Sequence, residues 1–453
     1  MLNYKLSKEQ ELTPELIKKL IDKHNQTQIP RLKKLDDYYH TKNKILTRLV
    51  ADDNKPNNKV AHPYASYITD TLTGYFMGEG VTYSSLEDKA LEELNMVLTY
   101  NDSQDEDMEL AKDMSIFGKA VELLYNDEEG AVRIKRLDPK EVILVYDDTL
   151  DEELLYVIRY YQCEDILADS KYYMIEIYGE NTIDVYKSDE LINYLTLVES
   201  KEHHFGMVPV CVFLNNEEEI GDFEPVISLI DAYDQMEADS LNDFEYFVDA
   251  YLCLTGLNAD SEDVKAMKEN RVLLLDADSD AKWLIKDTND SNIENVKTRL
   301  DKDIHKFSKV PDMSDEAFAG NASGVAIKYK TLPMENIVAI KERKFKKGLQ
   351  RRIELIFSIV ALKSASFDWR AIDITFTRNL PTNDTEIASV VSTLSGIVSN
   401  ETLLAQIPFV ENVQNEMDKV TEEKESNPFY DVRLGLVGED SDEREDRKDK
   451  EEK

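Results

Sequence analysis

Positive charge is what this chain most lacks. Its 453 residues carry 54 Lys and Arg against 92 Asp and Glu, a formal net charge of −38. Broad phosphate binding needs clustered cations, so the deficit excludes a protein that grips nucleic acid over a whole face. It leaves room for one that lies close to nucleic acid without adhering. Cysteine is scarce too: Cys163, Cys211 and Cys253 are far apart and odd in number. Two fall in apolar strand-like runs and one near an expected helix end. They read as buried free thiols in a reducing compartment, not as a disulfide framework. No apolar run reaches the ~18 residues of a membrane span, and residues 1–10 hold no apolar signal core. A soluble protein made in a cytosol is expected.

Chemistry-bearing motifs are missing as well. There is no His-Glu-x-x-His, no Cys-x-x-Cys and no Walker lysine motif, and Gly74, Gly78 and Gly80 do not supply one. Asp276-x-Asp278-x-Asp280 resembles the start of a calcium loop. Ala281 stands where the sixth position needs Gly, and Asp287 where the twelfth needs a bidentate Glu, so a charged hairpin turn is the reading. His203 and His204 are adjacent and would point to opposite sides of a strand. No catalytic residue, metal or other cofactor is expected. The acids between Glu217 and Asp249 leave one enzymatic alternative, a metal-dependent nuclease.

What is present is enough for about three domains at ~150 residues each, and a hydrophobic content of 42% supports packed cores. Thr13-Pro14-Glu15 opens a helix with Ile17, Leu20 and Ile21 on one side. Pro30 breaks it, and Leu32, Leu35 and Tyr39 begin another. Pro63 opens a helix with Ile68, Leu72 and Phe76 aligned, ending at Gly78 and Gly80. From Val121 the period becomes two. Residues 121–125 and 131–137 flank a hairpin signal, Asn126-Asp-Glu-Glu-Gly130. Further strands are predicted at 142–146, 154–161, 172–178, 182–186 and 208–214. Residues 1–215 therefore read as an α+β domain with leading helices.

Residues 205–264 contain no Lys, Arg or His and fifteen acids. Within them a helix is predicted from about Gly221 to Leu254, burying Val226, Ile230, Tyr233, Leu241, Phe244, Val248 and Tyr251. A short helix over 261–270 follows, and then strands 271–275 and 281–285 paired across 276–280. Ile293, Val296, Leu300, Ile304 and Phe307 mark another helix. The loop from Pro311 to Gly324 is rich in small residues. Ser323 caps a second long helix, with a kink or restart expected at Pro333 and a buried stripe of Ile337, Ile340, Phe345, Leu349, Ile353 and Ile356. This helix holds the chain's dense basic cluster: Lys341, Arg343, Lys344, Lys346, Lys347, Arg351 and Arg352. Three readings stay open for it: a solvated face, phosphate contact, or pairing with the acidic segment of the same or a neighbouring subunit. A strand at 372–378 and helices at 385–398 and 401–407 precede a charged tail that reads as disordered.

Several strings, in order, carry a family resemblance. They are Tyr38-Tyr39 with Pro56-Asn-Asn-Lys-Val60, Tyr75-Phe-Met-Gly78-Glu-Gly80, Phe117-Gly118-Lys-Ala120 and Leu137-Asp-Pro139-Lys-Glu-Val142. Leu229-Ile-Asp-Ala-Tyr-Asp234 and the loop-to-helix join from Phe318 to Lys330, with Ser323-Gly-Val-Ala326, are the most specific. Through them the chain resembles the portal proteins of tailed phages, in the branch from siphophages of Gram-positive hosts, as far as about Asn383. The resemblance implies an α+β portal fold and a dodecameric ring at one capsid vertex. Double-stranded DNA would pass through its channel during packaging and ejection. The implied partners are the large terminase subunit, a head–tail adaptor, and the major capsid and scaffolding proteins, with no membrane.

The resemblance also implies a division of the chain. Residues 1–225 are similar to the wing, 226–256 to the helix leading into the stem, 257–290 to the clip and 291–310 to the second stem helix. Residues 311–324 are similar to the tunnel loop, 325–383 to the basic helix and return strand of the wing, and 384–430 to the crown, with 431–453 as the tail. On that scheme Asp312, Asp315, Glu316, Phe318, Asn321 and Ser323 face the channel. Asp276, Asp278, Asp280 and Trp283 belong to the terminase- and adaptor-docking clip. The basic cluster lies at a subunit interface or near DNA. A head or neck scaffold without an open channel is the second alternative.

Overall fold

A strand with four apolar residues in a row has to be covered on both sides. Val142, Ile143, Leu144 and Val145 form such a strand, and all four are buried. The computed structural model describes residues 4–50, 55–248, 251–255, 262, 265, 280–284, 290–314, 324–379, 384–407, 410 and 413–426.

In chain order, β1 (Tyr4–Leu6) is followed by α1 (Pro14–Thr27), α2 (Ile29–Tyr39), α3 (Tyr64–Met77), β2 (Thr82–Ser85), α4 (Asp88–Tyr100) and α5 (Ser103–Phe117). Then come β3 (Lys119–Asn126), β4 (Val132–Leu137), β5 (Val142–Asp147), β6 (Leu154–Asp165), β7 (Ser170–Tyr178), β8 (Thr182–Asp189), β9 (Thr196–Glu202) and β10 (Val210–Leu214). Next are α6 (Ile227–Val248), β11 (Tyr251–Thr255), β12 (Asp280–Leu284), α7 (Asp290–Ser308), α8 (Gly324–Lys363) and β13 (Ile372–Thr375). These belong to the first of two compact units, Met1–Asn379. The second, Leu380–Lys453, holds α9 (Asp384–Leu394), α10 (Asn400–Leu404) and α11 (Val413–Ser426).

The strand at 142–147 sits second in a six-stranded sheet of order β1-β5-β6-β7-β8-β9. Because strand side chains alternate, Ile143 and Val145 pack on α1 through Ile17, Leu20 and Ile21. Val142 and Leu144 face the other way, onto Val121, Leu123 and Val210 of the three-stranded sheet β10-β3-β4 and onto Val208 just ahead of β10. The sequence motifs act locally as expected. Thr13 Oγ1 accepts from Leu16 N at 3.4 Å, and Asp127 Oδ1 accepts from Ala131 N at 2.8 Å to close the β3–β4 hairpin. Pro30 lies in the first turn of α2, so it opens the second helix as well as closing the first.

Helix α8 lies across β10. Phe345 meets Phe213 with ring centroids 4.7 Å apart and Phe76 at 5.6 Å. The approach depends on Gly348, where an added Cβ would overlap the buried Phe213 ring. Replacing Gly by Ala inside a helix ordinarily gains about 1 kcal/mol. Here overpacking costs about 1–3 kcal/mol, so Gly348→Ala is expected to lower the guanidinium midpoint. A raised midpoint would show that the ring moves aside freely.

Several expectations are corrected. The acidic helix stops at Val248, and Tyr251–Thr255 is a strand, so Cys253 is in a strand and not near a helix end. Residues 280–284 pair with that strand (Cys253↔Lys282), and the expected pairing with 271–275 falls outside the described residues. The long basic helix runs through Pro333 without a break. Pro333 is exposed, so the carbonyl four residues back that loses its donor stays within reach of water. Leu241, Phe244 and Ile340 are exposed, whereas Asp234 and Lys341 are buried. Helices α4 and α5 and strands β1, β2 and β9 were not anticipated. α5 escaped because its core face includes Asp107, Asp113 and Ser115, which blur any apolar period. In the second unit the first helix ends at Leu394, and α11 was not expected. The strand 271–275, most of the helix 261–270 and the tail 431–453 lie outside the described residues.

Candidate functional site

Helices α6 and α7 run side by side and antiparallel. Lys297 Nζ reaches Glu237 at 3.1 Å, and Asp301 accepts from Tyr64 Oη at 2.7 Å beside Tyr233, whose ring lies 5.3 Å from that of Tyr64. Burial, and next the Asp301 carboxylate, push the Tyr64 phenol well above its ordinary pKa, so it stays a donor. Asp234 is fully buried. It accepts from His62 N at 2.9 Å, from His62 Nδ1 at 2.8 Å and from Asn43 Nδ2 at 2.6 Å. The residues ahead of α3 are thereby tied to α6.

The loop leaves from this knot. His305 Nδ1 lies 3.0 Å from the Val310 carbonyl, which can only accept, so the proton is on Nδ1. Tyr67 Oη donates to the Pro311 carbonyl at 3.1 Å and accepts from Met313 N at 2.8 Å. Asp312 folds back on Ser314, accepting from its N at 2.9 Å and its Oγ at 2.6 Å. The Ser314 hydroxyl is the main reason its carboxyl sits below the usual range. Of the loop residues singled out in the sequence, only Asp312 is described; Asp315, Glu316, Phe318, Asn321 and Ser323 lie outside the described residues. The same holds for Asp276 and Asp278, while Asp280 and Trp283 belong to β12.

The basic cluster divides into residues of different kinds. Lys341 is buried and ion-paired with Asp222, whose carboxylate also accepts from Ser115 Oγ at 2.5 Å and Asn215 Nδ2 at 2.9 Å. Arg352 is wholly buried between Glu122 (2.8 and 2.6 Å) and Asp107 (2.6 Å), stacked over Phe213 at 5.6 Å. Burial raises the pKa of both acids against the pull of Arg352. Lys344 pairs with Glu217 at the surface. Lys346 donates to the Ile374 carbonyl at 3.2 Å, and Arg351 reaches Glu354 at 2.8 Å. Arg343 and Lys347 are exposed and make no hydrogen bond or ion pair among the described residues. Pairing with the acidic segment of the same chain thus holds for Lys341 and Lys344. Lys341 and Arg352, being interior, have no surface to offer DNA or a neighbour.

Other anchors of the long helix did not stand out in the sequence. Arg378 bridges Glu335 at 3.0 Å and Glu342 at 2.5 Å, and Tyr75 Oη donates to Glu335 at 2.7 Å. Tyr67, Asp107, Glu122 and Arg378 carry no signal in the sequence because their partners are tens to hundreds of positions away; Tyr75 and Asp234 belong to the strings Tyr75–Gly80 and Leu229–Asp234. Among the described residues no group of three or more His, Cys, Asp or Glu is placed to hold a metal ion, and no helix is long and apolar enough to cross a membrane.

Comparison with known proteins bears directly on this arrangement. Residues 18–428 match the family described as phage portal protein, SPP1 Gp6-like. The portal protein of Bacillus phage SPP1 is 28% identical, over 93% of this chain and 88% of that one. The portal protein of Clostridium phage phiCD119 is 25% identical, over 85% of this chain and 91% of that one. Among solved structures, a chain from the neck of an empty GTA particle aligns with 77% of this chain and 90% of its own at 12% identity, with a TM-score of 0.47, a likeness too distant to bear weight. The matched span takes in both long helical hairpin arms, the loop between α7 and α8 and the buried ion pairs that seat α8, and on that ground the chain belongs to the SPP1 Gp6-like family of phage portal proteins.

Proposed function

We propose that this portal protein assembles as a dodecameric ring at one capsid vertex and acts as a conduit for double-stranded DNA, without enzymatic activity. Residues 311–324 present Asp312, Asp315, Glu316, Phe318, Asn321 and Ser323 to the channel. The segment 257–290, with Asp276, Asp278, Asp280 and Trp283, docks the large terminase subunit during packaging and the head–tail adaptor afterwards. The wing and the crown meet the major capsid and scaffolding proteins, and the nuclease and closed-scaffold alternatives are set aside.

One observation carries the reading: the family match runs across both α6–α7 arms and α8. The charge distribution supports it. A duplex slides only if the wall holds it weakly, and affinity for DNA grows with each phosphate neutralised. Here the principal basic helix turns Lys341 and Arg352 inward and ties Lys344 to Glu217. The net charge of −38 then keeps adhesion weak within a Debye length of about 8 Å.

End-on electron microscopy of purified protein, with native mass spectrometry of the same sample, tests this. Twelve copies around an open hole are expected. Particles without a hole, or magnesium-dependent cleavage of DNA by the purified protein, would overturn it.

A further inference from the structure

Two hairpin tips share one end of the six-stranded sheet. Tyr172 pairs with Asp189, and Asp165 with Ser170, so the β6–β7 turn lies beside the β8–β9 turn. Between them they expose Ile166 (88%), Leu167 (100%), Leu191 (73%) and Tyr194 (78%), and Leu197 and Val198 of β9 continue the patch. Large apolar side chains gathered in one exposed place mark a contact surface, whereas scattered ones do not. The tips stand away from the rest of the fold. Val157 packs on the three-stranded sheet. From there β6 runs on to Asp165, roughly 25 Å farther at about 3.3 Å per residue.

Carboxylates fix both turns. Asp165 Oδ1 accepts from Leu167 N at 3.0 Å and from Ala168 N at 3.1 Å. Asp189 accepts from Asn193 N at 2.7 Å and from Asn193 Nδ2 at 2.9 Å. Ile192 sits at φ +54°, a conformation that β-branched residues avoid. Burial against α1 keeps it there, and Lys18 Nζ donates to its carbonyl at 2.8 Å. With Ile192 turned inward, Leu191 and Tyr194 are left outside. Strain of this kind persists only where the surroundings enforce it, and it gathers at binding sites. The charge around the tips is one-sided. Residues 164–171 and 187–202 hold seven acids and three cations. Two of the cations are engaged within the sheet: Lys187 lies over the Tyr172 ring at 4.0 Å, and Lys201 pairs with Glu199 at 2.9 Å. Asp169 and Glu190, next to the apolar residues, make no side-chain hydrogen bond or ion pair among the described residues.

We propose that this end of the sheet binds a basic amphipathic helix of another protein. Its apolar side chains lie on Leu167, Leu191 and Tyr194, and its Lys or Arg residues meet Asp169 and Glu190. The tips adjoin through β7 and β8, so they stand two strand spacings apart, roughly 10 Å, the width of one helix. Such a helix anchors through residues at i, i+3 or i+4, and i+7, and opposite charge fixes its orientation. An added strand fits less well. The free edge β9 carries a bulge opposite Val185 and Tyr186 and the charges of Glu199, Lys201 and Glu202, features that block edge pairing. The proposal rests on the reading that the wing meets capsid and scaffolding proteins, and adds the surface and the chemistry it takes.

The probes are a Leu/Lys peptide of about five helical turns, carrying a photo-crosslinker and a fluorophore, and its twin with Glu in place of Lys. Against the full chain, the Leu/Lys peptide is expected to bind and to crosslink within 164–171 and 189–198. The Leu/Glu twin should bind about tenfold more weakly or less. Ile166→Ser/Leu167→Ser and Tyr194→Ser, at exposed positions, should keep wild-type circular dichroism and melting and still give rings in native mass spectrometry. Each should weaken binding of the Leu/Lys peptide about tenfold. Crosslink mapping on the unaltered protein serves even if a variant fails to fold. Unchanged binding in both variants, equal binding of the twin, or crosslinks elsewhere would overturn the proposal. A ring lost in these variants would assign the tips to a contact between copies and overturn it too. Rings that bind no peptide would overturn this contact and leave the ring standing. Free chains that bind the peptide at the tips would do the reverse.

Discussion

Arg352→Met is expected to cost about 3–5 kcal/mol of unfolding free energy, the range for breaking a buried ion pair by removing one partner. The guanidinium is fully buried and forks between Glu122 and Asp107, neither of which has other cations at hydrogen-bond distance among the described residues. Its loss leaves two carboxyl groups inside a core lined by Phe213 and Phe345. Both already sit above their ordinary pKa because burial outweighs the arginine, and without it they rise further. A raised carboxyl pKa in the folded state means that stability falls as pH climbs above the unfolded value of about 4. The deficit of the variant should therefore deepen from acid to neutral pH. Chemical denaturation at pH 5 and pH 8 measures it. Removing the buried charges as well, with Asp107→Asn and Glu122→Gln, should restore most of the loss. A variant as stable as the wild type at pH 8 would show that water reaches the site.

Lys341→Met should cost about 3 kcal/mol, near the lower end of the same range, because Asp222 keeps its bonds from Ser115 and Asn215. Lys344→Met is the control. Its partner Glu217 is 77% exposed, and a surface pair is worth about 0–1 kcal/mol. Two lysines three positions apart on one helix should thus differ in melting temperature by several degrees. Equal melting temperatures would mean that the Lys341–Asp222 pair contributes no more than a solvated one.

Those two substitutions show where sequence reading reaches its limit. Within the basic cluster, spacing locates a helix and its charge. It does not tell which cations face out, since a buried arginine and an exposed one look alike until their partners are known. The partners of Arg352 are 230 and 245 positions away. The same blindness hid α5, whose buried Asp107 and Asp113 read as a polar, solvated stretch. Conversely, Leu241 and Phe244 read as core because they keep helical spacing with Ile230 and Tyr233, and the single chain leaves them uncovered.

By itself the sequence determined which segments turn and which repeat. The Asn126–Gly130 hairpin, the Thr13-Pro14 helix start, the apolar double-faced strand at 142–145 and the run of strings shared with portal proteins are local facts, set by backbone stereochemistry and by burial period. Only the tertiary structure decided that Lys341 and Arg352 are interior, that 251–255 pairs with 280–284, and that Tyr67 and His305 hold the base of the loop. Each of these depends on groups brought together across the fold, where the cost of burying charge selects the partner and sequence distance carries no information.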